Sequence, residues 1–186
     1  MRATEDVVLT RDCDAAIVPW GTPVRLNQGD LVTITQHLGG SFTVVAHGSM
    51  YRIEGRDADA LGKEPEVNPA LAGLSADTIT REQVESAAWS QMATCYDPEI
   101  PINVVDLGLI YDCYARPMEA GKGFRVDVNM TLTAVGCGMG EALQQEVAEK
   151  VRAIPGVEDV NIELVWDPPW SRERMSESAR LETGLF

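Results

Sequence analysis

The chain has 186 residues, 45% hydrophobic and 24% charged, enough for one medium domain or two small ones and too apolar to stay disordered. Its formal net charge is −14 and its isoelectric point is near 4.4, so it repels phosphate backbones and anionic lipid; neither nucleic acid nor membrane is an expected partner. No apolar run reaches the roughly 20 residues of a membrane helix, and the opening stretch carries Glu5 and Asp6, unlike a secretory signal, so a cytoplasmic location is expected.

From Val7 to Ile53 the pattern is that of short strands separated by turn residues. Leu31–Thr35 alternates apolar and β-branched side chains, Gly39-Gly40 divides it from Phe42–Val45, and His47-Gly48 precedes Met50–Ile53. Such pairs mark hairpins because tight turns need positive φ. A small antiparallel β-rich unit is expected over residues 1–62, as a barrel or sandwich. Residues 63–75, with Pro65 and Pro69, read as a linker.

Residues 76–186 read as a compact α/β-sandwich-like domain with about three strands and two to three helices, so the fold class is α+β. A first helix carries Ile79, Val84, Ala87, Ala88 and Met92 on one side, with Ser75 or Asp77 as its cap. Leu109–Tyr114 and Phe124–Leu132 read as paired strands across Gly121-Lys122-Gly123. Gly140–Ala153 reads as a helix with an apolar stripe of Leu143, Val147, Val151 and Ile154, stopped by Pro155-Gly156. Val157–Val165 follows as a third strand, and Ser171 can cap a last short helix to Leu181.

Four cysteines, Cys13, Cys95, Cys113 and Cys137, stand far apart, which excludes zinc-finger and ferredoxin spacings. Cys137 lies in TLTAVGCGMG, Thr131 to Gly140, where a strand ends, Gly136 and Gly138 flank the cysteine, and a helix begins. A sulfur there meets unpaired N–H groups and a dipole that favours an anion, which lowers a thiol pKa. The same pattern also suits a small buried hydrophobe in a tight turn. Cys95 and Cys113 sit in apolar stretches and read as core fillers, and Cys13 shows no partner.

A second cluster, DPEIPINVVDLGLIY, brings the carboxylates of Asp97, Glu99 and Asp106, able to ligate a metal, support a loop near Cys137 or simply cap turns. In WDPPW, Trp166 and Trp170 flank a Pro-Pro turn, either as a cover for the core edge or as a docking surface. His37 and His47 both fall outside the half that holds Cys137, and no G-x-x-x-x-G-K-[ST] loop exists. A cysteine hydrolase lacks its base, and nucleotide-driven chemistry would have to come from a partner; no enzyme activity is expected.

The three segments, in this order and followed by MSESARLETG, resemble the iron–sulfur assembly domain family, over about Val84 to Phe186. That family includes the bacterial SufT proteins, eukaryotic cytosolic cluster-targeting subunits and PaaD-like proteins. The Gly-Cys-Gly-Met-Gly turn and the β-rich leader with TQHLGGS, Thr35 to Ser41, look most like the SufT branch. The resemblance implies an accessory factor in iron–sulfur cluster assembly or in maturation of iron–sulfur proteins. It implies Cys137 as the reactive cysteine, with Asp97, Glu99, Asp106 and Thr133 on the family's other motif positions. Val135 departs from the proline of many relatives. Expected partners are assembly proteins and client apoproteins. One motif cysteine cannot supply the four ligands of a [2Fe–2S] cluster, so iron or a transient cluster would be shared across a homodimer or completed by a partner. A PaaD-like component of a multisubunit oxygenase assembly and a purely structural adaptor are the alternatives.

Overall fold

A computed structural model of the chain describes residues 4–97, 100–119, 123–133 and 139–184. It divides into two compact units, one reaching Val67 and the other running from Asn68 onward apart from the stretch 98–101.

The first unit is one six-stranded antiparallel sheet. Its strands are β1 (Glu5–Val8), β2 (Cys13–Ile17), β3 (Thr22–Leu26), β4 (Leu31–Leu38), β5 (Ser41–Ala46) and β6 (Ser49–Ile53), in the order β1-β4-β5-β6-β2-β3. It is a single sheet rather than two packed against each other as a sandwich. Period-2 alternation puts Val32 and Ile34 of β4 and Phe42, Val44 and Ala46 of β5 into one core, capped by Ala58, Ala60 and Leu61 from the 3-10 turn Gly55–Leu61. The two hairpins form where the glycines predict them. Gly39 and Gly40 have φ of 59° and 84°, and His47 and Gly48 have 50° and 78°, the conformation of a two-residue turn that matches strand twist. Arg52, 6% exposed, binds Glu54 at 3.0 Å and Ser41 at 3.1 Å, so this buried charge is paired.

The second unit is a three-stranded sheet with helices. Its elements are α1 (Arg81–Met92), β7 (Ile110–Pro117), β8 (Phe124–Met130), α2 (Gly140–Arg152), β9 (Val157–Leu164) and α3 (Glu177–Thr183). Strand β7 pairs antiparallel with β8, and β8 parallel with β9 through the α2 crossover. Cys113, Ala115, Val126, Val128 and Met130 form the buried face, with α1 on β7 and α2 on β9. The predicted stripe of Leu143, Val147, Val151 and Ile154 is fully inside.

Two predicted caps are displaced. Thr80, not Ser75 or Asp77, starts α1: its hydroxyl accepts from Gln83 N, and Gln83 Oε1 accepts from Thr80 N. Ser75 instead closes a separate turn with its carbonyl, which accepts from Thr78 N and Ile79 N. At the other end Ser171 makes no side-chain cap; a 3-10 turn at Arg172–Arg174 follows it, and Ser176 caps α3 through Ala179 N at 3.2 Å. Serine and threonine cap wherever the backbone leaves an orphan N–H, and several nearby candidates compete for one helix start.

Candidate functional site

Strand β8 ends at Met130 and α2 begins at Gly140, so the structure brackets the cysteine-bearing turn between a strand exit and a helix start. Gly136, Cys137 and Gly138 lie outside the described residues, as does Glu99. On the strand side, Thr131 N donates to the Leu109 carbonyl at 2.8 Å, and Leu132 is buried. Thr131 itself has no exposed surface, and its hydroxyl oxygen has no hydrogen-bond partner among the described residues. Thr133 follows, half-buried. On the helix side, Met139 is 2% exposed and gives α2 no side-chain cap. First-turn N–H groups without a cap suit an anionic partner. A Cβ on Gly140 would lie 2.5 Å from Leu132 Cδ1, so the helix start packs directly on the strand exit.

The loop carrying Asp97 and Asp106 reaches the same strand exit through Leu109. Val104 N donates to Cys95 O at 2.8 Å and Leu109 N to Val104 O at 2.9 Å. Asn103 organises the turn: its Oδ1 accepts from Val105 N and Asp106 N, while its Nδ2 donates to Asp106 Oδ2 at 2.6 Å. The Asp106 carboxylate is thus engaged inside its own turn. Asp97 N donates to Ile102 O at 3.1 Å, across the base of its loop. Asp97 and Asp106 join no group of three His, Cys, Asp or Glu side chains able to hold a metal; none exists among the described residues. Asn103 was not singled out by sequence reasoning, although Asn-x-x-Asp has the reciprocal spacing of a capping box.

The WDPPW segment reaches this loop from the other side. Trp170 Nε1 donates to Leu107 O at 2.7 Å, so its polar atom is used within the chain, whereas Trp166 keeps 40% of its surface exposed.

Cys13, Cys95 and Cys113 are buried free thiols. Burial pushes the Cys113 thiol up to about 12, with nearby Glu85 adding to the effect, and burial pushes Cys13 up to about 11. Neither is a thiolate at neutral pH, as the core-filler expectation for Cys113 requires. Cys95, wholly buried just past α1, lies 3.8 Å from the Gln91 carbonyl.

Comparison with known proteins finds a family match that spans the first two of these segments and ends before Trp166. The family described as "Iron-sulfur cluster assembly protein" matches residues 81–164. A curated relative from Porphyromonas gingivalis, named Fe-S protein maturation auxiliary factor, is 42% identical over 104 residues, 56% of this chain and 94% of that protein. The Staphylococcus aureus Fe-S protein maturation auxiliary factor SufT is 35% identical over 89 residues, 48% of this chain and 96% of that protein. Among solved structures, a domain of unknown function, DUF59, from Bacillus anthracis is 31% identical with a TM-score of 0.50, covering 57% of this chain and 96% of that one.

Proposed function

The chain belongs to the iron–sulfur cluster assembly protein family, and from that premise we propose that it is a cytoplasmic accessory factor in maturing iron–sulfur proteins, acting through Cys137 and without catalysis of its own. The observation that carries this reading is the 42% match spanning 94% of a relative named for Fe-S protein maturation. Local chemistry supports it. The three thiols among the described residues are buried, and two of them are held protonated, whereas Cys137 is flanked in the sequence by Gly136 and Gly138.

Iron or a cluster is cargo in this scheme. One motif thiol is too few for a [2Fe–2S] unit, so in this reading the remaining ligands come from a second copy, an assembly protein or the client apoprotein. Both named relatives are maturation factors, which favours this over an oxygenase component. The N-terminal sheet precedes the region that the family matches.

The test is Cys137→Ser in cells lacking the wild-type protein, with protein level, melting temperature and activity of iron–sulfur enzymes measured together. Serine keeps the size but is a harder, far less acidic ligand. The expected result is an unchanged melting temperature with maturation lost; full maturation by the serine variant would refute the thiol mechanism. Anaerobic iron and sulfide analysis of the purified protein then separates cluster carriage from iron delivery.

A further inference from the structure

Three successive positions of the loop 103–109 are each held by the chain that follows β9. Asp106 O accepts from Ser176 N at 2.8 Å. Leu107 O accepts from Trp170 Nε1 at 2.7 Å. Gly108, with φ +69°, lies so close to Arg174 that a Cβ would sit 2.6 Å from the Arg174 carbonyl carbon, and closer still to its oxygen. Glycine is required there twice over, by its φ and by the approach of a second backbone. Just beyond the loop, Tyr111 OH donates to Pro168 O at 2.7 Å, and the Arg174 guanidinium lies 3.9 Å above the Tyr111 ring. Met175 and Ala179 are buried and root the segment in the core.

A segment that only covered a core edge would need its apolar anchors and nothing more. Here polar and steric contacts fall on backbone atoms of 106, 107 and 108, in a loop whose Val104, Leu107 and Leu109 side chains are already buried, so they add a second set of restraints on the backbone itself. The loop ends at Leu109, whose carbonyl takes the Thr131 N–H, and Thr131 is the fully buried residue at the exit of β8. We propose that residues 168–179 form a strap that fixes the loop 103–109 and, through the Leu109–Thr131 bond, the exit of β8. Trp170, Gly108 and Arg174 are then positioning residues for the β8 exit, which precedes Cys137 in the sequence. The functional half of this inference rests on the thiol reading given above.

The test uses the full chain and two variants. Trp170→Phe removes one N–H and keeps most of the apolar surface; Gly108→Ala drives a methyl into the Arg174 backbone. Amide hydrogen exchange is followed at Ser176 and Thr131, and the pH profile of maleimide labelling is followed at Cys137. The expected result is joint loss of protection at Ser176 and Thr131 in both variants, with a shifted labelling midpoint in Trp170→Phe at nearly unchanged melting temperature. Loss at Ser176 with Thr131 still protected would show that the strap rests on the loop without fixing it. Loss at both with an unmoved labelling midpoint would reduce the strap to a structural part. Should Gly108→Ala fail to fold, Trp170→Phe decides alone. Failure of the thiol reading appears separately, as maturation by Cys137→Ser, and leaves the exchange result to judge the strap.

Discussion

Cys113 lies on the face of β7 that packs against α1, with 7% of its surface exposed, and burial holds its thiol protonated up to about pH 12. In the unfolded chain the same group ionises near its ordinary value of about 8.5–9. Below that value both states carry the proton and stability owes nothing to pH. Between about 9 and about 12 only the unfolded chain releases it, so stability falls as pH rises through this window. Cys113→Ala should cost about 1 kcal/mol at neutral pH by leaving a small void, and should remove this share of the alkaline slope. Urea midpoints for both proteins at several values between pH 7 and 11 check it. A gap that stays constant across the series would show that the thiol does not titrate late. The same protonation explains why labelling with a limiting maleimide at neutral pH should fall on Cys137 before Cys13 or Cys113.

The elements differ in how firmly their ends are set. Helix α1 has a reciprocal capping box at Thr80 and Gln83, closing two orphan N–H groups at once. Thr80→Ala should therefore destabilise the second unit by about 1 kcal/mol, read as a lower thermal midpoint of that unit, with Ser75→Ala near neutral. Equal losses from the two would return the cap to Ser75. Helix α2 is the opposite case. It has Glu141 in its first turn and Lys150 and Arg152 in its last, as the dipole favours, but no side-chain cap at Met139. Its far end is tied instead: Gln91 Nε2 donates to Lys150 O at 2.7 Å and Lys150 Nζ to Thr94 O at 2.6 Å. Helix α2 is thus anchored at its C-terminal end and has no side-chain cap from Met139 at its N-terminal end.

At the scale of the molecule, each unit has its own buried core, and the joining chain is thin. Glu64 to Val67 has no regular structure and Val67 is 78% exposed, whereas Asn68 already binds into the second unit through Ser90 O at 3.1 Å and Gln91 Oε1 at 2.9 Å. A glutamate-specific protease should cut after Glu64 or Glu66 and leave a folded C-terminal fragment, recognised by resistance to further digestion and a cooperative melt. Digestion of that fragment as fast as it forms would show that the second unit depends on the first.

The sequence by itself determined whatever depends on a few neighbouring residues. Period-2 alternation in Leu31–Leu38 and Ser41–Ala46, the Gly39-Gly40 and His47-Gly48 turns, and the apolar stripe of α2 are local patterns with local causes, and each is where its residues predict. The segments around Asp97, Thr131 and Trp166 were legible as candidates for the same reason. Only the tertiary structure decided which hydroxyl caps α1, since Ser75, Asp77 and Thr80 are locally equivalent until packing fixes where the backbone turns helical. It alone joined Trp170 to Leu107, 63 residues away, and set Gly108 against Arg174. Contacts between segments so distant leave no periodic mark in sequence, because neither segment alters the pattern of its own neighbours. They exist only once β7, β8 and β9 have brought the loop, the strand exit and the C-terminal segment to one end of one sheet.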